Sequence, residues 1–193
     1  ELQGYLSGES RIPGINAIPG AGTNVPIYIL GSSLFGAKLA AMLGLPYGFA
    51  SHFAPAALHQ AIELYRSEFE PSEQLAEPYV IAGVNVLAAD TEEEAQAQHL
   101  HVSRARVAII LGRDRSYTDE EADTILASAH GHHVREMTRC TAVGTPDVVR
   151  RSLLDFAEET GADELITAHY SDTVPNRLRS VELLAGALDP AGA

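Results

Sequence analysis

The sequence predicts an α/β fold built on a parallel β-sheet. Three observations carry this. Short apolar, β-branched runs alternate with segments whose apolar residues recur at helical spacing. Helix-start and helix-stop residues punctuate those segments. The strands are too hydrophobic for a sheet with one wet face, so helices must cover them through βα crossovers.

The elements follow in order. Pro26–Gly31 (PIYILG) is a short apolar run after the turn-forming stretch 20–24, and reads as a buried strand. Ser32 and Ser33 offer N-caps for a helix over Leu34–Leu43, which Gly44 ends. Tyr47–Ser51 is a second buried strand, and Pro55–Phe69 a helix with proline near its start. Tyr79–Ala89 (YVIAGVNVLAA) is the strongest strand signal of the chain. Thr91 with Glu94 forms a capping-box pattern for a helix running toward Leu111, and Thr118 with Glu121 repeats it before a helix toward Met137. Thr145 is an N-cap with Pro146 at N1, and Gly161 ends that helix. Asp163–His169 is a fourth strand and Pro175–Leu188 a final helix. The order is β-α-β-α-β-α-α-α-β-α, with the excursion 91–143 as a helical insertion between the third and fourth strands.

Composition narrows the function. The chain has 193 residues with 13 Lys and Arg against 26 Asp and Glu, a formal charge of −13. Nucleic acid and anionic membrane surfaces need a basic face and are not expected partners. No apolar run approaches the roughly 18 residues of a membrane span. The single cysteine, Cys140, excludes an internal disulfide and a Cys-based metal cage. Its environment reads as that of a small buried hydrophobe. The reading is a cytoplasmic protein, and the alanine-rich, lysine-poor composition suits a bacterial one. Glu1–Leu6 carries no initiator Met and reads as the last turns of a helix already under way.

The informative stretch is Gly31-Ser32-Ser33-Leu34-Phe35-Gly36. It stands at the carboxyl end of the first strand, where parallel sheets place ligands, and it opens a helix whose first N–H groups are unpaired. Two hydroxyls add donors, and Gly31 and Gly36 let the backbone approach closely. A phosphate group suits this turn; so does a plain capped helix packed with small residues. It matches neither GxGxxG nor GxxxxGK[ST]. A hydrolase elbow built on Ser33 with His52, His169 and Asp172 fails, because the second glycine of G-x-S-x-G stands one place too far.

Other polar clusters read as structure. His130, His132 and His133, with His99 and His101 upstream, lack the Glu of an H-E-x-x-H, so no metal site is expected. Glu92–Glu94 satisfy a helix N-terminus. Tyr170 and Asp172 follow the last strand and suit either a ligand-facing or a simple loop role.

The run PIYILGSSLFGAKLAAMLGLPYGFASHFAP, Pro26–Pro55, resembles the flavin-dependent bacterial luciferase-like monooxygenases. The likeness continues in AVGTPDVV (142–149), GADEL (161–165), RLRS (177–180) and Leu184-Ala185. The resemblance implies a (β/α) TIM-type barrel. The four strands match the last four of eight, so only the C-terminal half is expected: residues 1–193 as four parallel βα units with the insertion at about 91–143. It implies an FMN-dependent monooxygenase that uses reduced flavin and dioxygen to oxygenate a small organic substrate, with a deazaflavin as the variant cofactor. The alternative is a non-catalytic flavin- or phosphate-binding α/β domain. Gly31, Ser32, Ser33 and Gly36 match the turn that holds the flavin phosphate, and Ser51 and His52 line the flavin pocket. No catalytic residue is assigned. Unclosed sheet edges imply a homo-oligomer or a chain that supplies the missing half.

Overall fold

The computed structural model describes residues 1–111 and 116–189. The helices are α1 (Leu2–Ser7), α2 (Leu34–Leu43), α3 (Leu58–Ser67), α4 (Glu92–Leu111), α5 (Asp119–Ala127), α6 (His132–Met137), α7 (Pro146–Thr160) and α8 (Val174–Leu188). The strands are β1 (Ile29–Gly31), β2 (Tyr47–Phe49), β3 (Val80–Ala88), β4 (Thr141–Gly144) and β5 (Glu164–His169). Among the described residues no helix is long and apolar enough to cross a membrane.

All strand pairs are parallel. β1 pairs with β2, and β2 with the first residues of β3. Ile81–Val86 of β3 pairs with β5. Residues 85–88 pair with β4. Because Ile81, Ala82, Asn85 and Val86 each have two partners, β2 and β4 share one edge of β3 and β5 takes the other. The long excursion therefore returns to the edge it left, beyond the end of β2.

The expectation of a C-terminal half barrel of four βα units is corrected here. One continuous α/β fold runs from Ile29 to Leu188, nearly the whole chain, and its sheet has five strands. The unexpected strand is β4. Its four residues are too few to show a period, and its pairing with Asn85–Ala88 supplies the backbone bonds that make it a strand. The helix expected from Thr118 to Met137 is two helices. Gly131 lies at the break, where an added Cβ would meet the Ile125 carbonyl at 2.3 Å. The helix expected over 55–69 starts as a 3-10 turn, Pro55–Ala57.

β3 sorts the core by its alternation. Val80, Val84 and Val86 point to the face covered by α2, α3, α7 and α8, where they pack with Tyr47, Phe49, Tyr65, Val149 and Leu184. Each such burial stabilises by about 1.5–3 kcal/mol. Gly83, Asn85 and Leu87 point to the opposite face. There Leu87 and Ala89 meet Ala95 of α4, so α4 covers only the carboxyl half of that face. α4, α5 and α6 share a small core of Val107, Ala122 and Val134. A full capping box at Thr118 and Glu121 starts α5. Thr91 Oγ1 accepts from the Glu94 N–H at the start of α4.

Candidate functional site

The turn Gly31–Gly36 stands at the carboxyl end of β1 and leads into α2. Tyr47 from β2 supports it from below. The Tyr47 ring is fully buried, and its hydroxyl donates to the Ser33 carbonyl at 3.1 Å. Burial pushes that phenol up to about 12, so it is a neutral donor at any working pH. A Cβ on Gly31 or Gly36 would make ordinary contact at 3.5 Å with the other's Cα and at 3.5–3.8 Å with the Tyr47 ring. The two glycines pack closely against each other over the Tyr47 ring.

Ser33 is the N-cap of α2 in extended conformation, yet its side chain makes no capping bond. Neither the Ser32 nor the Ser33 hydroxyl is engaged by another described residue. Leu34, Phe35 and Gly36 supply first-turn N–H groups that have no acceptor within the helix. Donors thus converge without a protein acceptor, at the positive end of the helix dipole. An anionic group fits this donor set.

Ser51 and His52 follow β2, and the Ala50 N–H bonds to the Gly31 carbonyl at 2.8 Å, which ties the two strand ends together. Ser51 is fully buried and its hydroxyl donates to the Gly83 carbonyl at 2.5 Å. That bond locks the loop to β3, so Ser51 contributes position rather than a free donor. The His52 ring lies on the sheet over Gly83, where any Cβ would meet Nδ1 at 2.4 Å. Its Nδ1 is buried with no hydrogen-bond partner. Burial, and then the Arg106 guanidinium, hold its pKa below the ordinary imidazole value.

Two residues beside His52, Asn85 and Arg106, were not singled out from the sequence. Asn85 of β3 donates from Nδ2 to the His52 carbonyl, and its Oδ1 is buried without a partner. Arg106 of α4 lies over the Tyr170 ring, 4.5 Å from its centroid. Asn85 has a sequence signal: an amide in the middle of the apolar run YVIAGVNVLAA. Arg106 has none, because α4 sets it there from a distance. The Tyr170 ring is occupied by Arg106, and Asp172 accepts from Asn176 Nδ2 at 2.7 Å, one residue before Thr173, the N-cap of α8.

His169 is set apart from this cluster. The buried Ser180 hydroxyl accepts from the Ala88 N–H at 2.9 Å and lies 2.8 Å from His169 Nδ1. That chain ties β5 and β3 to α8, a packing role. Among the described residues no group of three or more His, Cys, Asp or Glu side chains is arranged to hold a metal ion. Cys140 is half-buried against the main core, and burial pushes its thiol up.

Comparison with known proteins places the chain in a family. The luciferase-like monooxygenase family matches residues 5–164. The chain is 40% identical to the Bacillus subtilis (strain 168) protein YvbT over 190 residues, 96% of this chain and 56% of the relative. It is 35% identical to a luciferase-like monooxygenase of Escherichia coli (strain K12), covering 95% of this chain and 55% of that one. The crystal structure of apo-MsnO8 superposes with a TM-score of 0.79 at 31% identity, over 96% of this chain and 57% of that one. A riboflavin lyase structure with modified FMN and riboflavin shares the fold at 20% identity, TM-score 0.58, over 95% of this chain and 47% of that one. The chain spans about half the length of the relatives it matches. The match begins at residue 5, which corrects the expectation that the likeness is confined to a C-terminal part. With the family matching most of its length, and relatives above 30% identity covering nearly all of it, the chain belongs to the luciferase-like monooxygenase family.

Proposed function

We propose that the chain binds FMN through the Gly31–Gly36 turn and serves an FMN-dependent monooxygenase that oxygenates a small organic substrate with reduced flavin and dioxygen. The observation that carries this is the set of unengaged donors at that turn: the Ser32 and Ser33 hydroxyls and the first N–H groups of α2. Gly31 and Gly36 admit the phosphate backbone-close, and His52 borders the space on the neighbouring strand end. FMN, when bound, supplies the redox chemistry; the protein's part is to hold it, orient it and shield it from water. The riboflavin lyase whose structure holds a modified FMN supports a flavin on this fold.

FMN fluorescence tests the reading. Saturable quenching is expected, and Ser32→Ala with Ser33→Ala weakens it at least tenfold, since hydrogen bonds to a charged group contribute about 1.5–3 kcal/mol each. No quenching, or a preference for a deazaflavin, overturns the FMN assignment. Oxygen consumption with reduced FMN then decides between the monooxygenase and a non-catalytic binding domain. Turnover above free flavin supports the first.

The same reading includes a homo-oligomer. Leu30 is 74% exposed, Phe35 77% and Ile166 59%, apolar groups on or next to the sheet that an acidic chain leaves uncovered. Sedimentation is expected to show self-association at micromolar concentration, and a monomer throughout overturns it.

A further inference from the structure

The outer side of α8 has no partner among the described residues. The helix packs on α7, β3 and β5. Ser180 and Leu184 face the fold and are buried. The opposite side carries a second apolar row. Val174 is 65% exposed, Leu178 60%, Val181 46% and Leu188 50%, and Ala185 is exposed between the last two. The steps along this row are four, three, four and three residues. That seven-residue repeat is the seam of a helix that packs along its length against another helix. A surface helix needs one apolar face, toward its own core. A second one standing in water marks a contact surface.

Charge selects the occupant. Arg177 and Glu182 flank the row on opposite sides and lie five residues apart. Arg177 has no carboxylate partner among the described residues, and Glu182 pairs with Arg179 at 3.4 Å, while Arg179 also holds Asp90 at 2.5 Å. When two parallel helices pair in register, a flanking residue meets the opposite flank of its partner five positions on. A second copy of α8 therefore sets Arg177 against Glu182 of the other copy, once on each side of the seam. All five apolar positions then face their own counterparts. In an antiparallel pair like flanks face each other, and Arg177 does not meet Glu182. The exposed stripe of α2, Phe35, Leu39 and Met42, has Lys38 as its one charge, so it offers Arg177 no carboxylate.

We propose that α8 is a homodimer interface, a parallel, in-register pair with α8 of a second copy. The proposal rests on the self-association stated above and gives it a place; it does not rest on the flavin. One helix pair about 22 Å long is a small contact, so the dimer forms at micromolar concentration. α7 and β3 hold the inner side of α8, which leaves the seam to one partner helix.

Sedimentation equilibrium of the full chain across the micromolar range tests this. A monomer–dimer equilibrium is expected. Leu178→Lys with Val181→Lys raises the dissociation constant about tenfold or more, with an unchanged far-UV circular dichroism spectrum because both side chains are exposed. Arg177→Glu and Glu182→Arg each weaken the dimer about threefold or more, and the two together restore it, since the pair is rebuilt in reverse. Ala185→Cys stands opposite its own counterpart and cross-links into a covalent dimer on oxidation, whereas the wild-type chain, with Cys140 alone, does not. Should the lysine variants fail to fold, the charge reversal and the cross-link carry the test. Self-association unchanged by the folded lysine pair, no restoration in the double reversal, or no cross-link in Ala185→Cys overturns the proposal. A dimer lost instead with Leu30→Asp and Phe35→Asp overturns α8 as the interface and leaves the self-association standing. A monomer throughout overturns both.

Discussion

The two faces of β3 were built to different rules. Toward α2, α3, α7 and α8 the strand presents Val80, Val84 and Val86, and every phenol in that layer has a bond: Tyr47 to the Ser33 carbonyl and Tyr65 to the Leu45 carbonyl at 2.9 Å. Toward α4 it presents Gly83, Asn85 and Leu87, with the orphaned atoms His52 Nδ1 and Asn85 Oδ1 beside them. The first face is finished by the fold. The second keeps small residues and unpaired polar atoms where a well-packed core would have neither, a pattern expected where structure yields to binding.

Breaking the finished face should cost the most. Tyr47→Ala removes a fully buried ring that packs with Phe49 and Tyr65 beneath Gly31 and Gly36 of the turn. A loss of about 3–5 kcal/mol in urea unfolding is expected. Less than about 1 kcal/mol would show that this layer collapses around the gap and does not anchor the turn. Gly83→Ala on the other face should cost less, about 1–3 kcal/mol. The new Cβ displaces the His52 ring and presses on the Phe49 carbonyl at 3.2 Å. The matching signature is a changed His52 ring resonance; an unmoved ring would mean the histidine does not rest on Gly83.

Asn85→Leu sharpens the contrast further. It deletes the bond to the His52 carbonyl, worth about 0.5–1.5 kcal/mol, and also deletes an orphaned acceptor whose burial costs about 1–3 kcal/mol. The two offset, so stability should change by less than about 1.5 kcal/mol in either direction. A larger loss would assign Asn85 to the scaffold rather than to the open face.

The finished face was also the legible one. Alternating strands and helices and the Gly44 and Gly161 stops follow from local rules, and the structure carries all of them; in the α4–α6 layer only local signals such as the Thr118 capping box were as plain. The Gly31–Gly36 turn was legible because its donors are contiguous in sequence. β4 was not, since its four residues become a strand only through pairing with β3. Nor was the Asn85, Arg106 and Tyr170 cluster. Its members come from β3, α4 and the end of β5, and nothing local links residues 85, 106 and 170; the link is the path of α4 across the sheet. The excursion between β3 and β4, read from the sequence as an insertion, is what completes the second face.

The smallest effect concerns acid. His52, His99 and His169 all have pKa values below the ordinary imidazole value of 6.5, each first through burial. The unfolded chain, with ordinary imidazoles, therefore binds more protons than the folded one between those lowered values and about 6.5. Stability must rise with pH through that window: the histidine contribution is fully present above about pH 6.5 and is lost as pH falls through the folded values. Asp90 and Asp123 are held below the usual carboxylate range by Arg179 and Arg104, so their losses come at lower pH and do not overlap. Urea midpoints measured from pH 7.5 down to pH 5 should fall, and His52→Gln with His99→Gln should flatten the slope. The residual slope belongs to His169, and it should vanish in the triple variant. A slope left unchanged by the histidine variants would assign the pH dependence to groups other than these three imidazoles.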